Sequence, residues 1–295
     1  MEVSTIPQVE FSKKQKLTIE FEILALEDLF SKRAEMVPPI DHPHRIAFHN
    51  IMYITAGEGT HHIDFQPHKI SQGSLIFISK GQVNAFNVQP DMRGYLILFT
   101  TEYLEKHLIH SDVLSLYRLY NYHLHSPVMQ PEETQNEGFH DLFRGITAEY
   151  SNPDVFAKED ILRLLLKVLL LKAERIKRTV TADQKKTEWL IRFGQLKELL
   201  EKHIASTRSV QDFAEMLKIS PKHLNTICKA VSGATAKQNI DSFMILEIKR
   251  LLATSDSSVQ EISFDFGFDE PTNFVKYFKK HAGQSPSQFR KTFTN

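Results

Sequence analysis

Apolar positions along this 295-residue chain follow two rhythms. From Ala47 to Phe99 they come in short runs rich in β-branched and aromatic residues: Ala47 to Ile54, His61 to Phe65, Ser74 to Ile78 and Tyr95 to Phe99. Turn signals separate the runs, at Gly57 and Gly59, Gln66-Pro67, Gln72-Gly73, Lys80-Gly81 and Gln89-Pro90-Asp91. Short runs at roughly ten-residue spacing predict a β-sandwich or small barrel. Leu17 to Phe30 fits a strand or a short helix. After Thr100 the spacing turns helical. Glu102 to His110 and Gly138 to Tyr150 predict short helices. Phe156 to Arg178 predicts a long one, with Leu162, Leu165, Leu166, Leu169 and Leu170 on one broad face and a basic C-terminal end. Thr179 to Lys186 is polar and reads as a linker. Beyond it nearly everything is helical, including Trp189 to His203 and Ala236 to Leu252.

The helical half repeats itself. One copy runs from Ser209-Val210-Gln211-Asp212 to Ser232-Gly233, the other from Ser258-Val259-Gln260-Glu261 to Ala282-Gly283. Apolar residues correspond between them: Phe213 with Ile262, Leu217 with Phe266, Ile219 with Phe268, Leu224 with Phe274 and Cys228 with Phe278. The offset is 49 residues up to Phe268 and 50 from Phe274, so the second copy carries one extra residue at its turn. A short apolar-faced helix, a tight turn and a second helix with a free outer face make a helix-turn-helix. Two of them suit two successive major grooves of DNA. In the first copy Ser220 is the expected N-cap and Pro221 opens the helix. Leu224, Ile227, Cys228 and Val231 face inward there, leaving Lys222, His223, Asn225, Thr226 and Lys229 outside. In the second, Phe274, Tyr277 and Phe278 face inward, and Thr272, Asn273, Val275, Lys276, Lys279 and Lys280 face out. Asn can bond adenine in bidentate fashion, Lys can reach guanine or phosphate, and a Thr methyl can touch thymine.

Composition sharpens this picture in three ways. Hydrophobic residues at 41% and charged residues at 24% are those of an ordinary globular protein. One cysteine excludes an internal disulfide or a cysteine-based zinc site, which fits a reducing cytoplasm. No signal-peptide core opens the chain, and the apolar run Ile161 to Leu171 is broken by Arg163 and Lys167, so no membrane span is expected. The formal net charge of zero divides unevenly. Residues 188–295 hold 15 Lys+Arg against 12 Asp+Glu, a net +3 that leaves −3 for the remainder. That sign suits DNA binding by the C-terminal half.

The segment Glu188 to Asn295 resembles the DNA-binding domain of the AraC/XylS family of bacterial transcription regulators. The likeness rests on Gly267, Phe268, Phe274, Lys276, Phe278, Lys279, Gly283, Ser285, Pro286, Phe289 and Arg290, at the family's spacing throughout. It implies two helix-turn-helix units, about 209–233 and 258–283, joined by the Ala236 to Leu252 helix. The DNA-binding candidates are Lys222, Asn225, Thr226 and Lys229 in the first unit, and Thr272, Asn273, Lys276 and Lys279 in the second. Members commonly carry Arg where Thr226 stands and Phe where Cys228 stands. Thr cannot make the bidentate guanine contact of Arg, so the first unit's sequence preference is expected to differ. Cys228 reads as a core residue in preference to a redox sensor.

The run His42 to Phe86 resembles the cupin-like sensor domain that precedes many such DNA-binding domains. Its turn glycines are present, but Asn84 holds the place of the usual second-motif histidine, and the usual glutamate falls near His49 or Asn50. Imidazoles without a carboxylate make a poor closed metal shell, so neither metal nor cofactor is expected. The barrel is expected to enclose a small molecule, with His44, Phe48, Tyr53, His62, Phe77 and Phe86 as lining candidates. Aromatic filling of the barrel is the equally open alternative. His61 and His62 are adjacent, so at most one points inward.

Together these readings give an α+β chain: a cupin-like β-barrel with following helices over residues 1–180, and an all-α DNA-binding domain over 187–295. The expected function is sequence-specific regulation of transcription in the cytoplasm, responsive to a small effector and activating, with no enzymatic activity. Expected partners are double-stranded promoter DNA, the effector, RNA polymerase and a second copy of the chain. Two alternatives stand beside it: a ligand-independent regulator whose barrel only dimerises, and a metal-dependent cupin enzyme fused to a DNA-binding domain.

Overall fold

The computed structural model describes residues 8–9, 20–32, 40–86, 91–100, 102–103, 119–120, 126–134, 137–153, 155–177 and 184–292. These fall into two units, one within residues 7–180 and the other within 181–295, and the architecture is α+β. Of the helix expected at Glu102 to His110, all but Glu102 and Tyr103 lies outside the described residues.

In the N-terminal unit, strands β1 (Gln8–Val9), β3 (His44–Ile46), β8 (Val83–Phe86), β5 (Glu58–Ile63) and β6 (Gln66–Ser71) make one sheet in that spatial order. The second sheet runs β10 (Val128–Met129), β7 (Leu75–Ile78), β4 (His49–Ala56), β9 (Arg93–Phe99) and β2 (Phe21–Ala25). Leu17 to Phe30, open between strand and helix in sequence, holds both: β2 passes directly into α1 (Leu26–Ser31). At the β4–β5 turn Gly57 adopts φ +83°, and a Cβ there would lie 2.8 Å from the Met92 Cα. Only glycine fits that turn.

Two cores flank the second sheet. Met52 and Ile54 of β4 and Ile76 and Ile78 of β7 point inward, meeting Ile46, Ile63 and Phe86 of the first sheet. Their alternates Ile51 and Phe77, with Ile97 and Phe99, point the other way. There they meet α3 (Phe139–Ser151) and α4 (Lys158–Lys177), through Phe139, Phe143, Leu162, Leu166 and Leu169. A short α2 (Pro131–Thr134) precedes them. With both faces covered, β4, β7 and β9 lose the apolar–polar alternation of a half-exposed strand. Helix α4 buries one stripe and exposes another. Ile161, Leu164, Val168 and Leu171 lie at 3-4-3 spacing along its outer side and are 38–62% exposed.

The C-terminal unit is helical throughout its described residues. It comprises α5 (Gln184–His203), α6 (Val210–Met216), α7 (Pro221–Ser232), α8 (Ala236–Thr254), α9 (Val259–Asp265), α10 (Pro271–Ala282) and α11 (Pro286–Lys291). α5 begins inside the stretch that reads as linker, because Gln184-Lys185-Lys186 continue the helical pattern N-terminally. Phe213, Leu224, Ile227, Cys228, Ile240, Met244, Ile248, Ile262, Phe274 and Phe278 are almost wholly buried. Burial of each larger side chain contributes about 1.5–3 kcal/mol.

Candidate nucleic-acid interface and barrel interior

The two helix-turn-helix units share a turn down to its hydrogen bonds. In the first, the Lys218 N–H donates to the Glu215 carbonyl (2.9 Å) and the Ile219 N–H to the Ala214 carbonyl (3.0 Å). In the second, Gly267 donates to Phe264 (2.9 Å) and Phe268 to Ser263 (3.0 Å), each 49 residues on. Both turns need a left-handed residue. The second uses Gly267 (φ +67°), whereas the first forces Lys218 to φ +56°. Both second helices then end alike, on Gly233 (φ +73°) and Gly283 (φ +76°).

Their beginnings differ. Ser220 caps α7 by accepting from the His223 N–H (3.1 Å). The extra residue of the second copy falls here, so Glu270 takes the cap position of α10 and makes no side-chain cap bond. Among the predicted DNA-facing residues, Lys222, Thr226 and Lys229 of α7 are exposed, as are Thr272, Asn273, Lys276 and Lys279 of α10. The Thr226 hydroxyl donates to the Lys222 carbonyl (3.0 Å), and its acceptor lone pairs remain toward solvent.

Asn225 is differently placed. Its Oδ1 accepts from the Ala236 N–H (3.1 Å), one of the N-terminal donors of α8 that no helical carbonyl serves. With Oδ1 so used, the bidentate pairing with adenine is not on offer in this rotamer. The counterpart of Ala236 in the second unit is Pro286, which has no N–H, and the counterpart of Asn225 is Val275, which has no acceptor. The sequence held this signal, but it becomes legible only when the two copies are aligned across the turn.

Helix α10 is fastened otherwise. The Tyr277 hydroxyl donates to Asp241 Oδ1 on α8 (2.8 Å), and Lys237 Nζ donates to the same oxygen (2.7 Å). Burial, reinforced by the bond to Asp241, raises the phenol above its usual range. The signature residue Arg290 serves the scaffold. Its Nε donates to the Leu252 carbonyl at the end of α8 (3.1 Å) and a terminal nitrogen to the Ser257 carbonyl (2.6 Å). Arg208 lies over the Phe268 ring at 4.2 Å. Cys228 is fully buried, and burial pushes its thiol up to about 12, as a core residue requires.

The effector candidates divide between the two cores of the N-terminal unit. His44, Phe48 and Phe86 are buried, and the two Phe belong to the inner core between the sheets. Tyr53 and Phe77 belong to the outer core. Tyr53 stacks on Phe143 (5.3 Å) and Phe77 meets Tyr120 edge-on (5.5 Å). Strand alternation sends them there, away from Met52, Ile54, Ile76 and Ile78. Of the adjacent histidines, His61 is the inward one, fully buried against the Phe86 ring (4.5 Å), and His62 is exposed. Burial lowers the His61 imidazole to about 3, with His44 adding to the shift, and burial lowers His44 as well. Among the described residues no three His, Cys, Asp or Glu side chains gather as a metal would require. None of the described helices is long and apolar enough to cross a membrane.

Known proteins match both units. A family described as an AraC-like ligand binding domain matches residues 40–166, and one described as a helix-turn-helix domain matches residues 213–292. The HTH-type transcriptional activator RhaS of Klebsiella pneumoniae (strain 342) is 25% identical over 248 residues, covering 84% of this chain and 86% of that protein. Its namesake from Salmonella schwarzengrund (strain CVM19633) gives the same identity and coverage. Among solved structures, ToxT from Vibrio cholerae aligns over 94% of this chain and 100% of its own, at 12% identity and a TM-score of 0.45.

Proposed function

Because this chain belongs to the AraC family of DNA-binding transcription regulators, we propose that α7 and α10 enter adjacent major grooves of one promoter site. The observation that carries this is the pair of turns with equivalent hydrogen bonds, each presenting a helix with an exposed polar face. Lys222 and Thr226 read bases in the first groove, and Thr272, Asn273 and Lys276 in the second. Lys229 and Lys279 hold phosphates. Asn225 positions α7 against α8 and leaves base reading to its neighbours.

In this reading residues 1–180 sense a small effector and dimerise, and residues 187–295 bind DNA. A second copy of the chain covers the stripe Ile161, Leu164, Val168 and Leu171 of α4. The chain activates transcription, as the name of its relatives supports; in the same reading it does so through RNA polymerase, works in the cytoplasm and has no catalysis of its own. Effector binding shifts the balance between arrangements of the dimer, which requires unequal affinity for them.

Selection of bound DNA from a random library by the full chain tests the central claim. The enriched sequences are expected to hold two short elements about one helical turn, roughly 10 bp, apart. A single short element, or no enrichment, overturns it. Sedimentation of Leu164→Glu tests the dimer, which is expected to dissociate to monomer while DNA half-site binding survives.

A further inference from the structure

Among the described residues, alternation aims four buried polar side chains into the otherwise apolar packing of the inner core. His44 of β3 and Asn84 of β8 are directly paired across the strands, and His61 of β5 lies on the same face of that sheet. Asn50 of β4 shares the parity of Met52 and Ile54 and enters from the facing sheet. All four are at least nine-tenths buried, with His44 6%, Asn84 1%, His61 0% and Asn50 3% exposed.

Their protons can be assigned. The His44 Nδ1 faces the His42 carbonyl at 3.0 Å, which can only accept, so Nδ1 carries the hydrogen. The His44 Nε2 is then an acceptor, and the Asn84 Nδ2 donates to it across 3.4 Å. That orients Asn84 and leaves its Oδ1 aimed inward with no partner in the protein. Both ring nitrogens of His61 and the Oδ1 of Asn50 are likewise without a hydrogen-bond partner. Buried polar atoms are rarely left so, because an unmade bond forfeits what water would have supplied.

We propose that these atoms form the recognition end of the effector site, and that the effector is an uncharged molecule carrying hydroxyl or amide donors on a compact apolar body. The inference rests on the ligand-responsive reading above and adds the chemical class. The two Asn oxygens accept, and the neutral His61 ring supplies one N–H and one acceptor, so the unpartnered atoms comprise three acceptors and one donor. A donor-rich guest matches that set, and a carboxylate or phosphate does not. Among the described residues no Lys, Arg, Asp or Glu of the barrel strands is buried, so a charged guest would find no buried counter-charge. Both imidazoles are held neutral by burial and supply none either. Ile46, Ile63 and Phe86, alternating with the polar residues on the same strands, would hold the apolar part.

Acetamide, acetate and methylammonium are small probes of similar size that differ in charge. Each is titrated into the full-length chain with its histidine rings labelled with 15N, and the His44 and His61 resonances are followed. Acetamide is expected to shift both in a saturable way while acetate and methylammonium leave them in place. In Asn84→Leu the acetamide response at His61 should weaken by about tenfold, with a cooperative melt retained. His61→Leu, read at His44, serves as the second variant. A response to acetate or methylammonium as strong as that to acetamide overturns the chemical class but leaves the ligand-responsive reading standing. An unchanged acetamide response in both variants overturns the site. If none of the three probes moves either ring, the interior admits no small guest, and the ligand-responsive reading falls with the proposal.

Discussion

In the first helix-turn-helix unit the second helix is tied down by Asn225, whose carboxamide meets the first turn of α8. In the second unit the tie is Tyr277, whose phenol meets Asp241 further along the same helix. The repeat therefore preserves the turn and the apolar face while replacing the fastening. The reason lies in the first residue of the helix after each unit. Ala236 brings a backbone N–H that needs an acceptor, whereas Pro286 brings none, so Val275 can stand where Asn225 does. The outer face of α10 is thereby free of scaffold duty at Asn273 and Lys276. The outer face of α7 must share its middle position with α8. A duplicated DNA-binding unit can thus diverge in its reading residues only as far as its neighbours release them.

The largest effect that would sharpen this contrast is on DNA binding. Lys276→Ala should raise the Kd for the selected site by about 10- to 100-fold, and Thr226→Ala by less than about tenfold, as read by fluorescence anisotropy. Equal losses would break the asymmetry between the units. Next comes stability. Asn225→Ala removes an acceptor from a helix start and should cost about 1–2 kcal/mol in urea unfolding of the full chain, while Val275→Ala costs less. Tyr277→Phe deletes one hydrogen bond to a carboxylate whose other partner, Lys237, stays in place. A loss of about 1 kcal/mol is expected, with the half-site spacing in selected DNA loosened. The smallest effect is a gain. Glu270→Ser gives α10 the side-chain cap that Ser220 gives α7, and should raise stability by about 0.5–1 kcal/mol.

Much of the C-terminal unit is legible before folding. Ser220, Pro221, Leu224, Ile227 and Cys228 announce a capped helix and its buried face, and the structure puts each in that place. Helical periodicity works there because one side of each helix meets water. The barrel hides more. Tyr53 and Phe77 look as suitable for the interior as Phe48 and Phe86, because β4 and β7 are covered on both faces and apolar side chains point both ways. Pairing His61 with His62 settles that only one is inward. Which one depends on the register of β5 against β8, and that is set by distant residues. In sequence Asn50 and Asn84 register only as replacements for metal ligands, and their place inside the barrel stays hidden for a related reason. A polar residue in a short strand reads as exposed until both sheets are in place.

The buried imidazole of His61 also ties the barrel to acidity. The native site holds the ring near 3, against 6.5 for the free side chain, so its neutral form is worth most above pH 6.5. As pH falls from 6.5 toward 3, the unfolded chain gains a proton that the native barrel refuses, and unfolding is favoured at each step. The described part of the DNA-binding unit buries no histidine; His203 is half-buried, and His223 and His281 are exposed. Mild acid would therefore erode the sensor before it touched the reader, parting the half of the molecule that decides from the half that binds.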